Sequence, residues 1–185
     1  MKFPRLVILG LVAVSAYAAE HTFQLTPADT KIEWELGDVL HTVHGTFQLK
    51  RGVIRFDPDT GAAGGEVAVD VASGESGSGA RDKRMHLHVL ESAKYPDATF
   101  TPDRIEGKLA MNGDSIVKIH GTFQIHGGSH EVTMNVRATA TPGRMTADIA
   151  FDIPYVAWGM KDPSTFILKV EKTVKLSIHA AGALE

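Results

Sequence analysis

The chain has 185 residues, 43% of them hydrophobic, and its 19 Lys and Arg against 22 Asp and Glu leave a formal net charge of -3. Basic and acidic residues are interleaved, which argues against the cationic stripe of a nucleic-acid binder and against a polybasic membrane patch, while leaving transient membrane contact open. The absence of cysteine excludes disulfides, thiolate metal ligands, a cysteine nucleophile and a lipid-modified cysteine.

Lys2 and Arg5 flank the apolar run Leu6 to Val14, and Ala16-Tyr17-Ala18 supplies the small-residue pattern that a signal peptidase reads. The run is shorter than the roughly 18 residues of a membrane span. Residues 1–18 are therefore expected to be a signal peptide, and residues 19–185 one periplasmic or secreted domain.

From there the chain alternates. Ile32, Trp34 and Leu36 oppose Lys31, Glu33 and Glu35; Val43, Gly45, Phe47 and Leu49 oppose Thr42, His44, Thr46, Gln48 and Lys50. Val67, Val69 and Val71 follow, then Ile105 and Leu109, then the long run of Val117, Ile119, Phe123 and Ile125. Val132, Met134 and Val136, then Ala147, Ile149, Phe151 and Ile153, and finally Val174, Leu176 and Ile178 complete about eight strands. Asp57-Pro58-Asp59-Thr60-Gly61, Asn112-Gly113-Asp114, Gly127-Gly128 and Thr141-Pro142-Gly143 stand where hairpins turn. An all-β, antiparallel meander of this kind forms either a sandwich or an up-and-down barrel.

Two stretches interrupt the alternation. Arg81 to Glu91 follows a flexible Gly/Ser stretch and carries good helix formers, which predicts a short helix, although Met85 to Leu90 also reads as a strand. Trp158 to Leu168 predicts a loop with a helical turn over one barrel end. His44-Gly45-Thr46-Phe47-Gln48-Leu49 also recurs as His120-Gly121-Thr122-Phe123-Gln124-Ile125, as two strands bending around an inward glycine would require.

The nine histidines invite a metal hypothesis. His44, His120, His126 and His179 take the outward, polar parity of their strands and read as solvated surface residues. His86 and His88 share a face only on a strand, and His126 with His130 meets across a turn without an acidic third ligand. No Gly-x-Ser-x-Gly elbow or phosphate-cradling glycine loop is present, and Asp82, Glu91, Asp97 and Asp103 read as caps and solvated charges. No catalytic residue, metal or cofactor is assigned, which leaves an apolar interior as the expected working surface.

Arg81-Asp82-Lys83-Arg84-Met85-His86-Leu87 and Tyr95-Pro96-Asp97-Ala98-Thr99-Phe100 resemble the Asp-x-His-Leu and Tyr-Pro-x-x-x-Phe elements of the YceI-like family of periplasmic polyisoprenoid-binding proteins. Ile125-His126-Gly127 before Val132-Thr133-Met134 is similar to that family's central hairpin. His88-Val89, Leu90-Glu91-Ser92 and the surroundings of Trp158-Gly159-Met160 depart from the family pattern.

The resemblance implies an eight-stranded antiparallel lipocalin-like barrel with a side helix, holding an isoprenoid, isoprenoid quinone or other long-chain lipid. On that reading Trp34, Val43, Phe47, Ile119, Phe123, Met134 and Phe151 line a tunnel, and Leu87, Leu90, Phe100, Trp158 and Phe166 form its mouth or lid. An interior of eight strands is either filled by side chains or holds one small ligand. A monomeric or homodimeric lipid carrier, a filled barrel docking a partner, and an enzyme acting on bound lipid are the functions this leaves.

Overall fold

The computed structural model describes residues 20–166 and 168–185, so the expected signal peptide lies outside the described residues. The strands are β1 (His21–Leu25), β2 (Lys31–Gly37), β3 (Thr42–Phe56), β4 (Ala63–Glu75), β5 (Asp97–Glu106), β6 (Gly113–Ile125), β7 (Gly128–Thr141), β8 (Arg144–Ile153) and β9 (Val174–Leu184). Each pairs antiparallel with its neighbours, and β2 pairs with β9 to close the ring. The result is a closed eight-stranded antiparallel barrel.

Nine strands fill eight places because β1 and β2 share one. Phe23 pairs with Ile54 of β3 and Leu184 of β9, whereas Trp34 pairs with Gly45 and Leu176 farther along the same two strands. A single turn of 3-10 helix at Pro27–Asp29 breaks the shared strand. Alternation marks β2 and misses β1, whose five residues are too few to show a period. It also carries the fifth strand to Leu109, which is instead buried in the turn after β5.

The hairpin between β6 and β7 turns at His126-Gly127, one residue earlier than Gly127-Gly128, because Ile125 pairs with Gly128. Both turn residues have positive φ, 51° and 76°. That is the type I′ pattern, whose twist matches that of the flanking strands.

The repeated His-Gly-Thr-Phe segment meets the same steric demand twice. A Cβ on Gly45 would lie 2.3 Å from the Trp34 ring, and one on Gly121 would lie 2.9 Å from the Phe100 ring and 2.3 Å from the Thr101 carbonyl. Both glycines sit beside a register shift, at Thr46/Gln48 in one strand pair and Pro102/Arg104 in the other. Each therefore lets an aromatic ring of the adjacent strand cross the inner wall where the sheet bends.

Residues 38–41, 76–96 and 154–173 lie at one barrel end together with the His126-Gly127 turn, and residues 57–62, 107–112 and the Pro142-Gly143 turn lie at the other. The longest of them holds helix α1 (Gly79–Arg84), which widens into a π-helical segment at Met85–Val89, two residues ahead of the expected start. The last connection is a loop as expected, but its helical turn precedes Trp158, with hydrogen bonds from the Trp158 amide to the Pro154 carbonyl and from Met160 to Tyr155.

Candidate functional site

Inward side chains do not fill the barrel. They enclose a cavity of about 850 Å³, toward the upper end of the roughly 300–1,000 Å³ usual for small-molecule sites. Phe23, Leu25, Phe56, Leu109 and Met145, all buried, close its base. Ile32, Val69, Ile119, Met134, Ile149 and Ile178 line its middle. The space persists because Ala138, Ala147 and Ala180 take inward positions on three consecutive strands, where larger side chains would meet across the barrel.

Trp34, Val43, Phe47, Phe100, Ile119, Phe123, Met134 and Phe151 line this cavity from the strands, and Leu90 lines it from the end of the helical segment. Around the upper wall Phe123 meets Phe151 edge-on at 5.7 Å, and Trp34 lies 6.4 Å from Phe47.

Leu87, Trp158 and Phe166 do not line it. On the helical segment Arg81, Arg84, Met85 and His88 face the opening, so Leu87 falls on the opposite side and is 56% exposed. Phe166 projects from its loop, 96% exposed. Trp158 backs the wall: it touches Phe123 and Phe151 and stacks flat on His130, at 4.0 Å and 6°. The Nε2 atom of that His130 is buried without a hydrogen-bond partner.

The mouth is polar, which strand alternation could not show because its residues come from the connections. Asp38, His41, Arg81, Arg84, His88, Lys161, Asp162 and Ser164 surround it. Backbone amides of Leu40 and His41 donate to Asp38 at 2.7 and 3.0 Å and hold its carboxyl below the usual range. The Ser164 hydroxyl and amide do the same for Asp162. Just inside, Tyr155 donates to the Glu171 carbonyl at 2.9 Å, and burial, with a smaller contribution from Asp162, pushes its phenol up to about 12.

The histidine pairs considered for metal binding do not assemble. His86 Nε2 lies 2.8 Å from the Gly74 carbonyl, His126 pairs with Glu91, and His130 faces Trp158. His120 and His126 do point outward, but with side chains only 14% and 13% exposed they are covered by ion-pair partners rather than solvated. The grouping that sequence spacing misses is Asp103–His120–Glu131, which the bulge between Pro102 and Arg104 brings together on the outer wall. Its imidazole presents Nδ1 to Asp103 at 2.8 Å and Nε2 to Glu131 at 3.3 Å, on opposite ring edges, and Arg104 lies 3.0 Å from Nδ1. Those contacts describe an ion-pair network across three strands. Asp82, Glu91, Asp97 and Asp103 likewise engage Ser76, His126, Lys50 and His120 separately, so no two of them form an acid-base pair.

Comparison with known proteins follows the same architecture. A family profile described as YceI-like domain matches residues 23–181. Burkholderia cenocepacia BcnA superposes with a TM-score of 0.69 at 20% identity, over 85% of this chain and 99% of that one. A polyisoprenoid binding domain from Saccharophagus degradans, implicated in plant cell wall breakdown, gives 0.69 at 17% identity over 87% and 98%. The Campylobacter jejuni YCEI protein gives 0.64 at 22% identity over 78% and 86%. No curated protein matches the sequence.

Proposed function

The chain belongs to the YceI-like family, and from that premise we propose that it binds and carries a long-chain apolar molecule, a polyisoprenoid, isoprenoid quinone or similar lipid, inside the barrel. The observation that carries this reading is the apolar cavity of about 850 Å³, closed at its base and opening through a polar mouth. Such a site suits an amphiphile whose tail lies among Ile119, Met134 and Ile149 while its head stays near the opening. Each methylene taken from water contributes about 0.8 kcal/mol, so a long tail offsets the cost of ordering it. The lining supports retention without covalent chemistry, since its polar groups are confined to the mouth. The leader motif ending at Ala18 supports export to the periplasm or beyond.

Mass spectrometry of an organic extract from the purified protein tests the proposal, against a Val69→Trp, Ile149→Trp variant. These residues lie on β4 and β8, opposite walls of the ring, and both line the cavity. A stoichiometric long-chain lipid in the wild type, lost from the folded variant, is the expected result. An empty wild type that also takes up no added isoprenoid would overturn the reading.

A further inference from the structure

We propose that the open rim of the barrel is a docking surface for an anionic phospholipid bilayer. The large apolar side chains exposed among the described residues are Val39, Leu40, Leu87, Ile116 and Phe166, at 64, 79, 56, 76 and 96%. Isolated exposed apolar residues carry little meaning. Here all but Ile116 fall in the three connections that surround the mouth, within two residues of ones that line it. The Val39 amide donates to the Lys169 carbonyl, and Asp38 bridges to Val170, so two of these connections are joined side by side.

Charge selects the occupant. The same connections carry Arg81, Lys83, Arg84, Lys161 and Lys169, none of them ion-paired among the described residues. The acids of the rim are Asp38, Asp82, Glu91, Asp162 and Glu171, and the first four are engaged within the protein. Asp38 has a side chain only 7% exposed, and Asp162 pairs with Lys172 at 3.6 Å. With Lys94 and Lys172 the three connections hold seven lysines and arginines against five carboxylates, so the rim carries a net positive charge, and cations interspersed with exposed aliphatic and aromatic groups suit the interface of an anionic bilayer. No helix among the described residues is long and apolar enough to cross a membrane, and the proposed contact is made by the rim alone. The inference rests on the lipid-binding reading in one respect: an insoluble cargo passes between bilayer and cavity only where the mouth meets the membrane.

The test is cosedimentation with vesicles of phosphatidylcholine alone or with about 30% phosphatidylglycerol. The full-length mature protein is compared with Leu40→Ser, Phe166→Ser and with Lys83→Glu, Lys169→Glu, none of which line the cavity. Ile116→Ser serves as an exposed apolar control on the barrel wall. The wild type is expected to bind the anionic vesicles, more weakly as salt rises, and each double variant to lose roughly tenfold or more in partitioning while the control loses none. Equal partitioning of wild type and rim variants, or no binding by the wild type, overturns the proposal. So does a wild-type dimer that the rim variants convert to monomer, because a second copy then occupies the rim. Extracted lipid is measured on the same samples. Retained cargo without vesicle binding overturns docking alone, and vesicle binding by a protein that takes up no lipid overturns the lipid-binding reading alone.

Discussion

Glu91 and His126 are the two non-glycine residues with positive φ among the described residues, at 45° and 51°, and their side chains meet at 2.8 Å. One ends the helical stretch beside the mouth and the other occupies the β6–β7 turn. The His126 ring also lies 4.5 Å from that of Tyr95. Left-handed backbone costs about 1–2 kcal/mol at a residue with a Cβ, so the contact holds two strained points against each other and clamps the helical connection to the barrel wall.

Glu91→Gly is therefore expected to be more stable than Glu91→Ala by about 1 kcal/mol, because both lose the pair and only glycine relieves the backbone. A double-mutant cycle with His126→Ala should give a coupling of roughly 0.5–1 kcal/mol, read from urea unfolding. A coupling indistinguishable from zero would mean that the two strained residues are held independently.

The inward alanines set the depth of the cavity. Ala138→Leu and Ala180→Leu each push an isobutyl group into space lined by buried neighbours on β7 and β9. Chain lengths in the extracted lipid should shift downward in these variants, with stability changed by no more than about 1–3 kcal/mol. An unaltered chain-length distribution would place the tail elsewhere in the barrel.

Tyr155 should titrate late. Its phenol is pushed up to about 12, so the folded state resists ionisation that the unfolded chain undergoes near pH 10. The neutral form is the one that fits, and the stability linked to this group is fully present below pH 10 and lost as pH rises from there toward 12. Absorbance at about 295 nm should show a late phenolate step in the wild type that is missing in Tyr155→Phe. A Tyr155 step near pH 10 in the folded protein would show the side chain to be reachable by water.

Alternation by itself determined the class, the inward set from Trp34 to Ile178, and the bends at Gly45 and Gly121, because a period of two depends only on neighbours along one strand. The cavity wall was legible for the same reason, down to Trp34, Phe47, Ile119, Phe123, Met134 and Phe151. The resemblance carried the barrel beyond what parity distinguishes, since sandwich and barrel share one pattern. Only the tertiary structure decided that the interior is open, because free volume depends on which side chains face each other across the ring. It also turned Leu87 and Phe166, expected at the mouth or lid, outward on the connections around the opening, and set Trp158 behind the wall against Phe123 and Phe151. A connection has no fixed period, so the direction of its side chains is set by what it packs against. For that reason a chain with interleaved charges still gathers Arg81, Arg84, Lys161 and Lys169 around one mouth: residues far apart in sequence become neighbours once the ring closes through β2 and β9.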